Sequence, residues 1–195
     1  MNMEDQKELP LGKDLVWQAL NDLELLKICI PGCESINVQE DGACELLVRA
    51  SVGPVNARFK GLMRMKDVLP PDSYTLEFSG QGGAVGYCRG QAQVALVALQ
   101  SDLTLLRYTA SANVGGKLAQ VGARLIDMAA QKMAADFFAS FIAELGKRHA
   151  VAGGAGDSGA EGTGAVAGPV QGMPSRGIWA RIIAWFAGLM GRDRK

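Results

Sequence analysis

The apolar positions of this chain follow two periods, and the change between them divides it. From Glu34 to about Ala112 they recur every second residue. The plainest run spans 55–66, where Val55, Ala57, Phe59, Met63 and Met65 share one face and Asn56, Arg58, Lys60, Arg64 and Lys66 share the other. That is a strand with one dry and one wet side, as an antiparallel sheet requires. Tyr74, Leu76 and Phe78 alternate in the same way with Thr75, Glu77 and Ser79, and two more runs span 91–99 and 103–112. Gly53-Pro54, Pro70-Pro71-Asp72 and Gln100-Ser101-Asp102 supply turn chemistry between the runs.

From Gly115 the step lengthens. Leu118, Val121, Leu125, Met128, Met133, Phe137, Phe141 and Leu145 recur three to five residues apart, in a stretch to Arg148 that contains no proline. This predicts one long amphipathic helix. Roughly thirty helical residues reach about 45 Å, so the helix needs a partner surface of similar length, and only the strands can provide one. Ala119, Gly122, Ala123, Ala129, Ala130, Ala134 and Ala135 would let a sheet approach closely. Gly115-Gly116 gives a flexible entry, and Lys147-Arg148-His149 complements the carbonyl end of the helix.

Ahead of the strands, 3–11 reads as a short edge strand or an ordered lead-in. The segments 12–20 and 22–28 read as short helices, the second stopped by Pro31-Gly32. The predicted order is β-α-α, about six strands, then the long helix: an α+β domain over residues 1–149. After His149 the periodicity ends. Residues 150–176 are mostly glycine, alanine and small polar residues and read as a flexible linker.

The tail, 177–195, is apolar again. Ile178, Trp179, Ile182, Ile183, Trp185, Phe186, Leu189 and Met190 cover most of a helix, interrupted by Arg181 and followed by Arg192, Arg194 and Lys195. About 13 apolar-rich residues make a helix near 20 Å, short of the roughly 30 Å hydrocarbon core. Two tryptophans, a phenylalanine and flanking arginines suit a helix lying in the interface of an anionic leaflet. Ile178, Trp179, Arg181, Ile182, Trp185, Phe186 and Leu189 would make that contact. Docking onto a partner or back onto the domain is the alternative; the loose linker weighs against a fixed intramolecular dock.

Charge narrows the function classes. Twenty basic and twenty acidic residues cancel, so no global field points to nucleic acid. Four cysteines without close pairing, and an acidic, polar N-terminus without an apolar run, lead to the expectation of a reducing, cytoplasmic compartment. The catalytic inventory is poor. The single histidine, His149, stands at the end of the long helix, so neither a Ser-His-Asp nor a Cys-His arrangement fits inside the domain. Cys29 and Cys33 lack a second ligand pair, and no metal is expected. The glycine-rich run 79–86 joins two strands rather than a strand and a helix, which excludes a phosphate loop. Arg89 reads as either a functional charge or a paired sheet residue.

A curved sheet closing on a long helix leaves space between them. Phe59, Met63, Met65, Phe78, Tyr87, Met128, Met133 and Phe137 are the candidates to line it, since methionines and aromatics build an adaptable apolar wall. The alternative is that all eight simply fill a core.

Several short motifs in order resemble a known family. They are Val16-Trp17-Gln18-Ala19-Leu20-Asn21-Asp22, Ile30-Pro31-Gly32-Cys33-Glu34-Ser35, Val52-Gly53-Pro54-Val55 and Phe59-Lys60-Gly61. They continue with Ser79-Gly80-Gln81-Gly82-Gly83, Arg89-Gly90, Gly116-Lys117-Leu118-Ala119-Gln120-Val121-Gly122 and Phe137-Phe138. Over about residues 1–147 the chain resembles the G-type accessory proteins of carbon monoxide dehydrogenase, members of the START-like (SRPBCC) superfamily. The resemblance implies a helix-grip fold, a curved antiparallel sheet around a long C-terminal helix. It also implies a non-catalytic accessory protein that recruits a molybdenum hydroxylase to the cytoplasmic membrane, and an apolar cavity able to take a quinone for electron delivery to the respiratory chain. Some family members carry a C-terminal membrane-binding extension. The rival expectations are a cyclase or dehydratase of the same fold, which would need an acid-base pair in the cavity, and a soluble lipid carrier.

Overall fold

A computed structural model describes the backbone of residues 1–153 and the side chains of residues 1–148. The chain opens with edge strand β1 (Asn2–Leu9), followed by helices α1 (Lys13–Leu20) and α2 (Leu23–Cys29). Six strands follow: β2 (Cys33–Val38), β3 (Cys44–Val52), β4 (Val55–Leu69), β5 (Ser73–Gln81), β6 (Tyr87–Gln100) and β7 (Leu103–Gly115). Helix α3 (Ala123–Gly153) closes the described chain.

Local chemistry accounts for the helix boundaries. Asp22 caps α2: its Oδ1 accepts from the backbone N–H groups of Glu24 (3.0 Å) and Leu25 (3.2 Å). Where β1 passes into α1, the Thr104 hydroxyl donates to the carbonyl of Leu11 at 2.7 Å, and Thr104 is fully buried. A buried hydroxyl without that partner would cost about 1–3 kcal/mol.

The strands form one antiparallel sheet in the order β1-β7-β6-β5-β4-β3-β2. Hairpins join β2 through β7 in sequence, whereas α1 and α2 carry the chain from β1 at one edge to β2 at the other. Residues directly opposite in an antiparallel ladder share a face. The register Met63↔Phe78, Phe78↔Gly90 and Gly90↔Ala112 therefore sets one row across four strands. A second row runs Tyr74↔Val94↔Tyr108↔Asp5.

The inner face packs on the helices. Leu9, Val16, Trp17, Leu20, Leu25, Leu96, Leu106, Tyr108, Phe138, Phe141 and Leu145 form the core. Phe138 stacks on Tyr108 with ring centroids 5.5 Å apart, and Trp17 meets Tyr74 edge-on at 5.6 Å. Fully burying a side chain such as Phe141, which is 0% exposed, contributes about 1.5–3 kcal/mol. The core thus lies between the second half of α3 and the sheet end carrying the β4–β5 and β6–β7 turns.

The long helix begins later than its apolar spacing predicts. Residues Gly116–Val121 form a 3-10 turn, and Gly122, at φ 95°, ends it before α3 starts. Leu118 and Val121 belong to that turn, with Leu118 buried beneath it. The spacing survives a 3-10 turn because side chains three apart still align. At the other end α3 runs to Gly153, into the stretch that composition reads as linker.

Candidate functional site

Where α3 begins, the inner face of the sheet is only partly covered. Its side chains there come from alternate positions: Cys44, Leu46, Val48, Ala50 and Val52 on β3, and Val55, Ala57, Phe59, Gly61 and Met63 on β4. Phe78 and Gly80 on β5, Cys88, Gly90 and Ala92 on β6, and Ala110, Ala112 and Val114 on β7 complete it. Leu46, Phe59, Gly80 and Ala112 are buried and Ala50, Val52, Met63, Phe78, Cys88 and Val114 half-buried. None of these joins the main core cluster. The result is an apolar trough whose upper wall is the first half of α3.

Glycines set the position of its aromatic walls. A Cβ at Gly82 would lie 2.6 Å from the Phe59 ring, and one at Gly90 would lie 2.7 Å from that of Phe78. Each ring occupies the space a side chain would have taken, and a larger residue would displace it.

The structure separates the eight candidate lining residues into groups. Phe59, Met63, Met65 and Phe78 share the inner face, with Met65 nearest the core. Phe137 and Met133 lie on the helix about 40° and 80° from Phe141, and Phe137 stacks on Phe141 at 5.6 Å. Met128 lies about 140° from Phe141, and it is 56% exposed. The structure therefore does not bring Met128 to the trough. Nor does it bring Tyr87, which occupies the opposite parity of β6 from Cys88 and is 43% exposed. Its ring covers Gly115 on the outer face, with the Arg89 guanidinium 5.8 Å from its centroid. Arg89 is thus both a sheet residue, in register with Ser79 and Asn113, and an exposed cation.

Two features were not anticipated from sequence. One is a cleft of ≈590 Å³ on the outer face, lined by Asn2, Arg64, Glu77, Ser79, Arg89, Gln91, Ser111 and Asn113 among others. Its lining has the alternation of an ordinary wet face, so no sequence signal distinguished it. The other is an ion pair on the inner side of edge strand β1, Lys7 Nζ to Asp5 Oδ2 at 2.8 Å. The Lys7 hydrogen bond holds the Asp5 carboxyl below its usual range, and Lys7 is raised in turn. Tyr108, opposite Asp5 in the ladder, is pushed up by burial and then by the Asp5 charge. Spacing of two on a strand puts Asp5 and Lys7 together, but an edge strand gives no cue to which face they take.

On strands β3–β7 the inner face carries no Asp, Glu, Lys, Arg or His between the β-bulges; its polar groups are thiols, tyrosine hydroxyls and Thr104. Burial pushes up the thiols of Cys44 and Cys88, which stay neutral near pH 7. The trough can hold an apolar molecule; it offers no acid-base pair of its own. Among the described residues no group of His, Cys, Asp or Glu is arranged to hold a metal ion, and no helix is long and apolar enough to cross a membrane. The tail positions Ile178, Trp179, Arg181, Ile182, Trp185, Phe186 and Leu189 lie outside the described residues.

Comparisons with known proteins extend this picture. The family model for CoxG, the G-type accessory protein of carbon monoxide dehydrogenase, matches residues 7–146. No curated protein matches the chain. Among solved structures, a conserved protein from Geobacillus kaustophilus is similar at 29% identity and a TM-score of 0.71, covering 75% of this chain and 96% of that one. The Zhui aromatase/cyclase from Streptomyces sp. R1128 is similar at 15% identity and a TM-score of 0.59, covering 78% and 98%. A START superfamily protein from Mycobacterium smegmatis shares 12% identity at a TM-score of 0.57, covering 75% and 97%. These likenesses identify the architecture as the START-like helix-grip fold.

Proposed function

The chain belongs to the carbon monoxide dehydrogenase CoxG family, and from that premise we propose that it is a non-catalytic accessory protein that brings a molybdenum hydroxylase to the cytoplasmic membrane. In this reading the trough takes a quinone or a similar apolar molecule, and electrons leave the hydroxylase toward the respiratory chain. The tail supplies the lipid contact and the domain holds the enzyme, so the two meet at raised effective concentration.

The observation that carries the reading is the chemistry of the trough. Phe59, Met63 and Phe78 present apolar surface beside the neutral thiols of Cys44 and Cys88, with no charged group on the strands behind them. A site so lined gains affinity from apolar area, about 25 cal/mol per Å² buried. It gives little leverage on a reaction that must move protons.

A second reading is an enzyme of the same fold, since the aromatase/cyclase shares the architecture. The Asp5–Lys7 pair beside Tyr108 is the observation in its favour. It lies at the edge strand, in the row of Tyr74 and Val94 rather than that of Met63 and Phe78, and both ion-pair partners are partly open to solvent. This placement favours the accessory role.

The test is co-sedimentation of the purified hydroxylase with anionic vesicles, with and without this protein. Full-length chain should carry the hydroxylase down, and a chain lacking residues 177–195 should stay folded and leave both proteins in the supernatant. Undiminished vesicle binding by the shortened chain would overturn the tail as the anchor.

A further inference from the structure

The two ends of the sheet differ in charge. One end gathers the β3–β4 turn (51–56), the β5–β6 connection (81–89) and the β7–α3 connection (113–126), and these three segments contain no Asp or Glu. They carry Arg89, Lys117 and Arg124, all exposed and without an ion-pair partner among the described residues. The turns at the opposite end carry Glu40, Asp41, Asp67, Asp72 and Asp102. An end-to-end asymmetry is therefore hidden inside a net charge of zero.

The acid-free end is also where apolar side chains stand out. Leu125 is 41% exposed, Tyr87 43% and Met128 56%. Its three connections form one surface. A Cβ on Gly86 would come within 3.2 Å of the Gly116 Cα, and one on Gly53 within 3.3 Å of Leu125 Cδ1. The trough reaches this end, since Phe59 lies against Gly82 and the main core fills the other.

Apolar side chains among cations, with no carboxylate nearby, complement an anionic leaflet. Each Lys or Arg near such a surface contributes about 1 kcal/mol, and the positive end of α3 points the same way. We propose that this end of the domain is a second lipid-docking face, distinct from the tail, which seats the mouth of the trough against an anionic bilayer. A ligand soluble in lipid could then enter without crossing water. That purpose rests on the apolar-ligand reading above; the contact itself does not.

Hydrogen exchange on the full-length protein tests this, with phosphatidylglycerol vesicles compared with phosphatidylcholine vesicles. Exchange over 81–89 and 115–128 should slow several-fold with phosphatidylglycerol and stay unchanged with phosphatidylcholine. The double variant Lys117→Glu/Arg124→Glu should lose that slowing in the domain while 177–195 remains protected. Slowing confined to 177–195 would overturn the second face and keep the tail as anchor. Slowing confined to the domain would support the face and sink the tail reading instead. Equal slowing with both lipids, or slowing by purified hydroxylase in place of vesicles, would also overturn the proposal.

Discussion

A methyl group added at Gly32 would sit 2.1 Å from the carbonyl oxygen of Arg49, on a residue whose φ is already 71°. The same addition at Gly83, φ 62°, meets nothing within 4 Å. Both variants carry the left-handed cost of about 1–2 kcal/mol, but only Gly32→Ala must also move backbone. Gly32 is pinned there, because the Arg49 N–H donates to its carbonyl at 2.8 Å. Gly32→Ala should lose about 3 kcal/mol or more and Gly83→Ala about 1–2, read as urea midpoints with unchanged slope. Equal losses would show that conformation, not contact, sets the cost. At this scale the sequence was legible in part. The alternation over 55–66 placed Phe59, Met63 and Met65 on one face, and the ladder agrees. Tyr87 was misplaced because the glycine-rich run before it hides where the strand begins. One residue of uncertainty there exchanges the two faces.

Among elements, α2 and α3 are tied through one side chain. Asp22 caps α2 and also accepts from Arg148 Nη1 at 2.6 Å. Burial alone would raise its carboxyl, but Arg148 and the Leu25 and Glu24 N–H groups outweigh it and leave it below the ordinary value. A lowered folded-state value means stability present above the unfolded value, near 3.8, and lost as pH falls through the folded one. Asp22→Ala should therefore cost about 1 kcal/mol at neutral pH. Its deficit against wild type should shrink below about pH 4, as urea titrations at both pH values would show. A deficit independent of pH would leave the cap geometry but not the charge. The trough makes its own prediction at this scale. Cys44 and Cys88 lie on its inner face, so a bound apolar molecule should slow their alkylation relative to the empty protein. Unchanged rates would place the molecule elsewhere. The long helix was legible from its spacing, and its first turn was not, because Gly122 breaks a pattern that apolar positions carry through unbroken.

For the whole molecule, the layout follows from matching lengths: a long apolar helix beside strands of up to 15 residues leaves a sheet gripping a helix as the packing that buries both. That much was written in the periodicities. The charge difference between the sheet ends was not, because it appears only when antiparallel hairpins sort alternate turns to opposite ends. The outer-face cleft was likewise invisible, since twist rather than composition shapes it. The central claim is that the trough holds an apolar molecule, and native mass spectrometry of the full-length protein purified from its own membranes tests it most directly. The account predicts one lipid-soluble, quinone-like molecule per chain, released by organic extraction and absent after Met63→Lys. A chain that carries nothing, or a polar cyclisation substrate in its place, would contradict it.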